Sequence, residues 1–539
     1  MSTADRSQLR GRRAYWLLEI AAPWGVLRFA DEAVTVTDAD GDSYRYAGGL
    51  TRLTVGRGAD LQALPIEVYA DEVDWLLYLA RGQGIEQASA TLRRWHAGTS
   101  LEFAQVVLRG LLRDVELGDP RAPSRMRASL DANRHRMSDA VPPGEAQVND
   151  VTWSGSPGPD EAIQGVHYPL VIGMPGFPSG SAAVPALGIR GNASGVTVYP
   201  VQFLIADGRI QASSVTISDL SATPRASEVH NVLTQEDDAG RLVSYVSISS
   251  GGSLIMEPGR AYFFGCSSDT GGGIRARDGD RPIRGLGEVL RYLYETYTRI
   301  DIDRDEMEAR RAELDVFKID TAIISPTKID DWVQAEIVGK YPVVAVEGPR
   351  GLYFRRQRYT ATPQDVSLHL RAGRTVGGGC RVERVSGLIR RPGEITNQLT
   401  VSYGPDAASG RMTRQAIISH RQNSNHTKWF PSYLAGVSHG IYGERPRELK
   451  LGVCWDAATA ALVGRTTVER DALPRFGIQV SAPAELEAVR LGTVVSLDDP
   501  SLYATDRLAT VEDVVVGPNT VTLDLTLLSD PMRTDVRTS

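Results

Sequence analysis

The strongest claim to chemistry in this chain is the serine of Gly436-Val437-Ser438-His439-Gly440. A G-x-S-x-G run can hold a serine on a strained turn between strand and helix, where its hydroxyl acts as an acyl-transfer nucleophile. That chemistry needs a helix after the motif and a histidine further along the chain. Here Gly443 and Pro446 follow at once, and His439, inside the motif, is the last histidine. Asp301-Ile302-Asp303-Arg304-Asp305 opens like a calcium loop, but such a loop needs Gly at its sixth position and a bidentate Glu at its twelfth. Those positions hold Glu306 and Ala312, so the segment reads as a solvated acidic turn leading into a helix.

The closest pair to metal-ligand spacing is His420 and His426, and no cysteine or carboxylate cluster adjoins it, so a polar loop is the expectation. Gly271-Gly272-Gly273 and Gly377-Gly378-Gly379 suit hairpin loops better than phosphate cradles. No H-E-x-x-H, no Walker A and no strand–G-x-G-x-x-G–helix unit occurs. Asn192-Ala193-Ser194 and Asn425-His426-Thr427 match a glycosylation sequon by pattern only. The 66 acidic residues offer too many combinations to pick an acid–base pair without a fold. The residues therefore nominate no catalytic, cofactor-binding or metal-ligating side chain, and no cofactor is expected.

Composition narrows the class further. A chain of 539 residues is too long for one core, and three to five domains are expected. Apolar content of 42% and charged content of 23% are ordinary for a soluble globular protein. The 53 glycines and 29 prolines favour many turns and hence many strands. A net charge of −7 makes the chain a poor non-specific binder of nucleic acid, yet suits a conduit through which DNA passes without sticking. Cys266, Cys380 and Cys454 are too scattered for a disulfide framework and read as reduced thiols of a protein made in a cytoplasm. No apolar run reaches the roughly 18 residues that span a bilayer. Arg10, Arg12 and Arg13 precede Ala14–Leu18, but Glu19 interrupts the run, so a first strand is expected rather than a signal peptide.

The elements that would position any site are mostly strands. Residues 1–145 read as an N-terminal β-rich domain, with strands at Ala14–Ile20, Val26–Phe29, Ala33–Thr37 and Ile66–Tyr69. Two helical patches are expected within it, one on Val73, Leu76, Leu77 and Ala80 and one over Ile85–Trp95. Residues 146–165, rich in Pro and Gly, read as a linker or arm. Residues 166–283 read as an all-β domain and 284–345 as a helix-rich one. In the latter, Leu286, Val289, Leu290, Leu293 and Tyr297 share a face, and Ser325-Pro326 supplies a helix start. A β domain is expected over 346–450, then a helix and β-barrel over 451–539. In the closing strand Val521, Leu523, Leu525 and Leu527 alternate with polar residues.

Taken in order, these segments resemble the central hub protein of a bacteriophage tail tip or baseplate, a family shared with related injection machines. The resemblance rests on Leu286–Leu293, Ile300-Asp301-Ile302-Asp303, Asp330-Asp331-Trp332-Val333-Gln334 and Gly351-Leu352-Tyr353-Phe354. It continues in Asn397–Tyr403, a helix near Asp456–Arg470 and Leu491-Gly492-Thr493-Val494-Val495-Ser496-Leu497, with Ala509–Val516 and Thr520–Leu528 as closing strands. It covers about residues 160–530. Val106–Gly110 after Arg94-Trp95 is similar to β domains of tail-tip proteins. The acidic residue that often follows the glycine of the C-terminal phrase is Thr493 here.

The resemblance implies an α+β, β-dominated multidomain fold of barrels or sandwiches with one helix-rich domain. It implies a non-enzymatic virion protein, a homotrimer of pseudo-sixfold character that joins the tail tube to the tip around the DNA exit channel. The implied partners are distal tail or tail tube proteins, the C-terminus of the tape measure protein, and tail fibre or tip proteins. Viral DNA would pass the lumen without specific binding. The alternative is a cell-wall hydrolase carried on the tail. The low aromatic content, 7%, argues against a carbohydrate binder. A receptor-binding tip protein would show a repeat or shaft pattern, and none is visible.

Overall fold

The computed structural model describes residues 12–528 except 52, 54, 57–62, 71–72, 74–84, 120–121, 132–139, 144, 150–151, 154–158, 160–162, 178–182, 195–196, 208–214, 220–225, 230–231, 248–260, 267–282, 299, 349–350, 373–379, 392, 422–428, 484–485, 487–488, 501–503 and 518–519. Among the described residues strand is far commoner than helix, so the fold is β-dominated, with several sheets in a multidomain chain.

The N-terminal sheet has eight strands in the order Val34–Thr37, Ser43–Gly48, Gly25–Ala30, Ala14–Ala22, Ser89–His96, Gln105–Asp119, Ala122–Asp131 and Ala63–Tyr69. It closes on itself through residues 49–51. The Leu50 N–H donates to Ala30 O (2.9 Å), the Thr51 N–H to Glu67 O (2.9 Å) and the Tyr69 N–H to Gly49 O (2.9 Å). Trp16, Leu18, Ile20, Leu92, Leu112, Met126 and Val68 fill the interior. Val34–Thr37 pairs only with Ser43–Gly48 and stands outside the closed ring. The segment expected to be helical over Ile85–Trp95 is instead the strand Ser89–His96, paired on both sides. The helical patch expected at Val73–Ala80 lies almost wholly outside the described residues.

A seven-stranded antiparallel sheet follows, ordered Ala226–Val229, Val215–Asp219, Tyr262–Cys266, Val184–Ser194, Thr197–Asp207, Leu242–Ser247 and Leu233–Glu236. The stretch expected to be a free arm packs against it. Ala146, Val148 and Trp153 are buried with Tyr168, Leu187 and Ile189, and Trp153 Nε1 donates to Tyr168 Oη (3.1 Å). One tryptophan is enough to anchor a Pro/Gly-rich segment whose remaining residues carry no apolar periodicity.

Helices α1 (Leu286–Tyr297) and α2 (Arg304–Leu314) come next. Leu286, Val289, Leu290, Leu293 and Tyr294 form the buried face of α1, the spacing of an amphipathic helix. Asp303 caps α2 by accepting the Glu306 N–H (3.1 Å). A short helix α3 (Ile329–Val333) starts after Lys328, not after Ser325 as the Ser-Pro pair suggests. Thr327–Lys328 is held extended by pairing with Ala140–Val141, which delays the helix.

The C-terminal barrel is a closed ring of six strands: Leu368–Ala372, Val494–Asp499, Ala504–Val516, Thr520–Leu527, Phe476–Pro483 and Cys380–Arg384, the last returning to the first. It draws strands from both sides of residue 450. Between them sits a four-stranded sheet, ordered Trp429–Pro431, Arg411–Ser419, Gln398–Asp406 and Pro446–Leu451. Helices α4 (Tyr433–Tyr442) and α5 (Ala457–Asp471) belong to the same insertion. Asp456 caps α5 through the Thr459 N–H (2.7 Å).

Helix α5 lies close on this inserted sheet because Gly464 has no side chain. A Cβ there would sit 2.3 Å from Ile418 Cδ1 and 2.8 Å from Val401 Cγ2. Overpacking of this kind costs ~1–3 kcal/mol. Gly464→Val is expected to lower the unfolding free energy of the full chain by that amount, read from chemical unfolding followed by near-UV circular dichroism.

Candidate functional site

Ser438 lies within α4 and not on a strand–helix turn. It is fully buried, and its hydroxyl accepts from Asn397 Nδ2 (3.2 Å). The same amide donates to Gly443 O (2.7 Å), and Asn397 Oδ1 accepts the Arg445 N–H (2.8 Å). Asn397, Ser438 and the carbonyl of Gly443 therefore fasten α4 to the strand that begins the inserted sheet. Asp303, read as part of a solvated turn, is buried and spent on capping α2. His420 faces His439, with ring centroids 4.1 Å apart and planes at 33°. His426 and both triple-glycine runs lie outside the described residues. Among the described residues no three His, Cys, Asp or Glu side chains converge as a metal site.

The geometry draws attention to a polar junction that sequence reasoning did not nominate. Asp320 is completely buried. Arg284 grips it with both arms of the guanidinium, Nε to Oδ1 at 2.6 Å and Nη2 to Oδ2 at 2.8 Å. The Met174 N–H also donates to Oδ1 (2.8 Å), and the Asp320 N–H donates to Val453 O (2.9 Å). Gly173 makes the approach possible. Its φ is +66°, and a Cβ would lie 2.0 Å from Ile319 O. Cys266, Cys454 and Tyr341 surround the carboxylate, and burial, reinforced by Asp320, pushes all three groups up.

The backbone on either side of Asp320 is shared in the same way. Thr321–Ile323 pairs with Leu170–Ile172, and Thr327–Lys328 with Ala140–Val141. The Leu286 N–H donates to Phe317 O (2.9 Å), the Ile319 N–H to Arg284 O (2.9 Å) and the Lys318 N–H to Thr459 Oγ1 (2.9 Å). Residues 317–328 are thus a strut holding the seven-stranded sheet, the helical block and the base of α5. The sequence signal is slight: in Phe317-Lys318-Ile319-Asp320-Thr321-Ala322-Ile323 a single carboxylate sits beside Ile319, among residues of mixed polarity.

The second feature is the joint between the two barrels. Val55–Gly56 adds to the edge of the C-terminal barrel by pairing with Val515–Val516. Arg94, 1% exposed, lies over the Trp16 ring at 4.6 Å and donates from Nη2 to Gly517 O (3.3 Å). Nearby, Arg355 crosses Gly492 and pairs with Glu512 at 3.1 Å. A Cβ on Gly492 would sit 2.8 Å from Arg355 Nη1. That contact gives the glycine of the phrase Leu491–Leu497 a steric reason.

No protein-family model and no curated protein matches the chain. Among solved structures, it is similar to a tail protein from Neisseria meningitidis MC58, at 8% identity and TM-score 0.39, over 96% of this chain and 97% of that one. It is similar to the 43 kDa tail protein of prophage MuSo2 from Shewanella oneidensis, at 10% identity and TM-score 0.32, over 95% and 98%. A third is the prophage tail protein gp18 from Listeria monocytogenes EGD-e, at 9% identity and TM-score 0.31, over 92% and 94%.

Two outcomes are expected from this geometry. Removing one partner of a buried ion pair strands the other, at about 3–5 kcal/mol. Arg284→Ala, which strands the fully buried Asp320, is expected to cost that much. Asp320→Asn is expected to cost less, because Arg284 keeps 23% of its side chain in solvent. Equality of the two in chemical unfolding would contradict the assignment.

The second concerns His420. Its burial, then His439, then Arg421, disfavour its charged form, while Glu444 opposes them. Unfolded His binds its proton near pH 6.5, more readily than the folded site does, so stability is complete above about pH 6.5 and falls as pH drops below it. His420→Gln is expected to flatten the stability profile between about pH 7 and pH 5. An unchanged slope in urea unfolding would contradict it.

Proposed function

We propose that this chain is the central hub of a phage-type tail tip or baseplate. It is a structural virion protein that joins the tail tube to the tip and surrounds the DNA exit channel. The observation that carries this reading is the pair of closed barrels in one chain, locked side by side by Val55–Gly56 on Val515–Val516 and by Arg94 on Gly517. Three such chains supply six barrels, enough for a ring that matches a sixfold tube while presenting threefold symmetry to a tip. The strut at Asp320 would hold the remaining sheets at a constant angle to that ring.

In this reading function lies in shape and interface area. Obligate interfaces of such rings often exceed ~2,000 Å². The net charge of −7 keeps DNA from adhering to the assembly as a whole. The neighbours would be tail tube or distal tail proteins above, the C-terminus of the tape measure protein within, and fibre or tip proteins below. No catalytic step is assigned to any residue.

The test is the native mass of the purified full chain, with negative-stain images of the same sample. A ring with a central lumen at three times 58.5 kDa is the expected result. A compact monomer that clears cell-wall substrate would overturn the reading in favour of a tail-borne hydrolase.

A further inference from the structure

Resting on the ring reading, we infer that the contact between neighbouring copies is made by two surfaces of opposite charge, an acidic knob on the N-terminal barrel and a basic ribbon on the C-terminal one. The knob is built from two turns. One is Asp38-Ala39-Asp40-Gly41-Asp42, at the tip of the hairpin that stands outside the closed ring. The other is the short turn Leu101–Phe103. Glu102 ties them together by accepting the Ala39 N–H and the Ser100 hydroxyl. The product is a surface that carries Phe103, 76% exposed, on one turn and the exposed Asp40 and Asp42 on the other, with exposed Glu102 linking the two.

The ribbon is the chain that leaves the strand Cys380–Arg384. It is fastened to the barrel by the Val385 N–H on Gln479 O (2.9 Å) and by the pairing of Ile389 with Gly477 and Arg390 with Phe476. Its side chains nevertheless point outward. Val385 is 60% exposed, and Leu388, Ile389 and Phe476 are also exposed, with the cations of Arg381 and Arg390 alongside and the single exposed carboxylate of Glu383 between Arg381 and Val385. Scattered apolar residues on a surface are ordinary, whereas a contiguous set rimmed by charge marks an interaction site.

Position and charge together identify the occupant as a second copy of this chain. In the ring of six strands, Cys380–Arg384 and Ala504–Val516 are three strands apart in either direction. Ala504–Val516 carries the joint to the chain's own N-terminal barrel. The ribbon therefore leaves the side of the barrel opposite to that joint, where a closed ring must place its next neighbour. A head-to-tail contact of this kind needs two different, complementary patches on one chain. The knob supplies carboxylates around an aromatic, and the ribbon supplies guanidinium groups around aliphatic side chains, with Phe103 as the apolar anchor.

The experiment compares the full chain with three variants by mass photometry, with thermal melting as the folding control. They are Asp40→Arg/Asp42→Arg, Arg381→Glu/Arg390→Glu and the combination of all four changes. All four positions are exposed, so folding is expected to be unaffected. Each charge-reversed pair is expected to lower the trimer fraction at least tenfold, and the combination to restore it. Phe103→Asp, a second route, is expected to give the same loss. Rings that persist at wild-type levels in every variant would overturn the interface while leaving the hub reading in place. A wild-type chain that stays monomeric at the highest soluble concentration would overturn the interface and the ring alike.

Discussion

The carboxylate of Asp320 has no contact with solvent, and an isolated charge in that position would cost several kilocalories per mole. It is tolerable only because Arg284 and the Met174 N–H arrive from two different parts of the chain and meet at the carboxylate, Arg284 on both oxygens and the Met174 N–H on Oδ1. The geometry therefore admits few alternatives. If the start of α1 or the loop at Gly173 shifts by an ångström, a buried charge loses a partner. Apolar packing alone could join the sheets as firmly, but it would not select one angle between them so sharply. For a molecule whose proposed role is geometric, that selectivity matters more than added stability.

Arginine does similar work at the second joint. Arg94 places its guanidinium over Trp16 and reaches the carbonyl of Gly517, so one side chain belongs to both barrels. Arg355 repeats the arrangement between the hairpin Val343–Arg356 and the barrel, crossing Gly492 to reach Glu512. A planar, permanently charged group can be buried in this way because it satisfies a carbonyl or carboxylate at one end while its stem packs against apolar surface. The domains are joined by directional contacts at both places, set into an apolar cluster that runs from the N-terminal barrel through the helical block to the C-terminal one.

Much of this was legible from residues. The periodicity of Leu286, Val289, Leu290 and Leu293 identified α1, and the alternation of Val521, Leu523 and Leu525 identified a barrel strand. Strand Ser89–His96 was hidden because Arg94 occupies a core position, which breaks the apolar alternation and leaves a spacing that mimics a helix. Helix α4 is hidden by Gly436 and Gly440, which leave the segment inside an expected β domain with no helical periodicity. The burial of Trp153 was hidden by its Pro- and Gly-rich surroundings. The interleaving of the barrel with the inserted sheet could not be read at all, since strand pairing between distant segments leaves no local periodicity. The junction at Asp320 belongs to the same class, because its partners are residues 174, 284 and 453.

That interleaving also orders events in time. Leu368–Ala372 lies between Cys380–Arg384 and Val494–Asp499, so one of its two ladder partners is synthesised 127 residues after it, Leu368 being paired with Val495. At ~5–20 residues per second the ribosome leaves that edge unpaired for several seconds. Val55–Gly56 waits far longer, until Val515–Val516 emerges. A nascent chain therefore has neither a finished second barrel nor a joint to hold it against the first. In the proposed ring, such a chain would have no finished interface with which to be built in as an incomplete subunit. In that reading the topology acts as a check on translation, admitting to assembly only chains read through Leu527, the end of the strand that closes the second barrel.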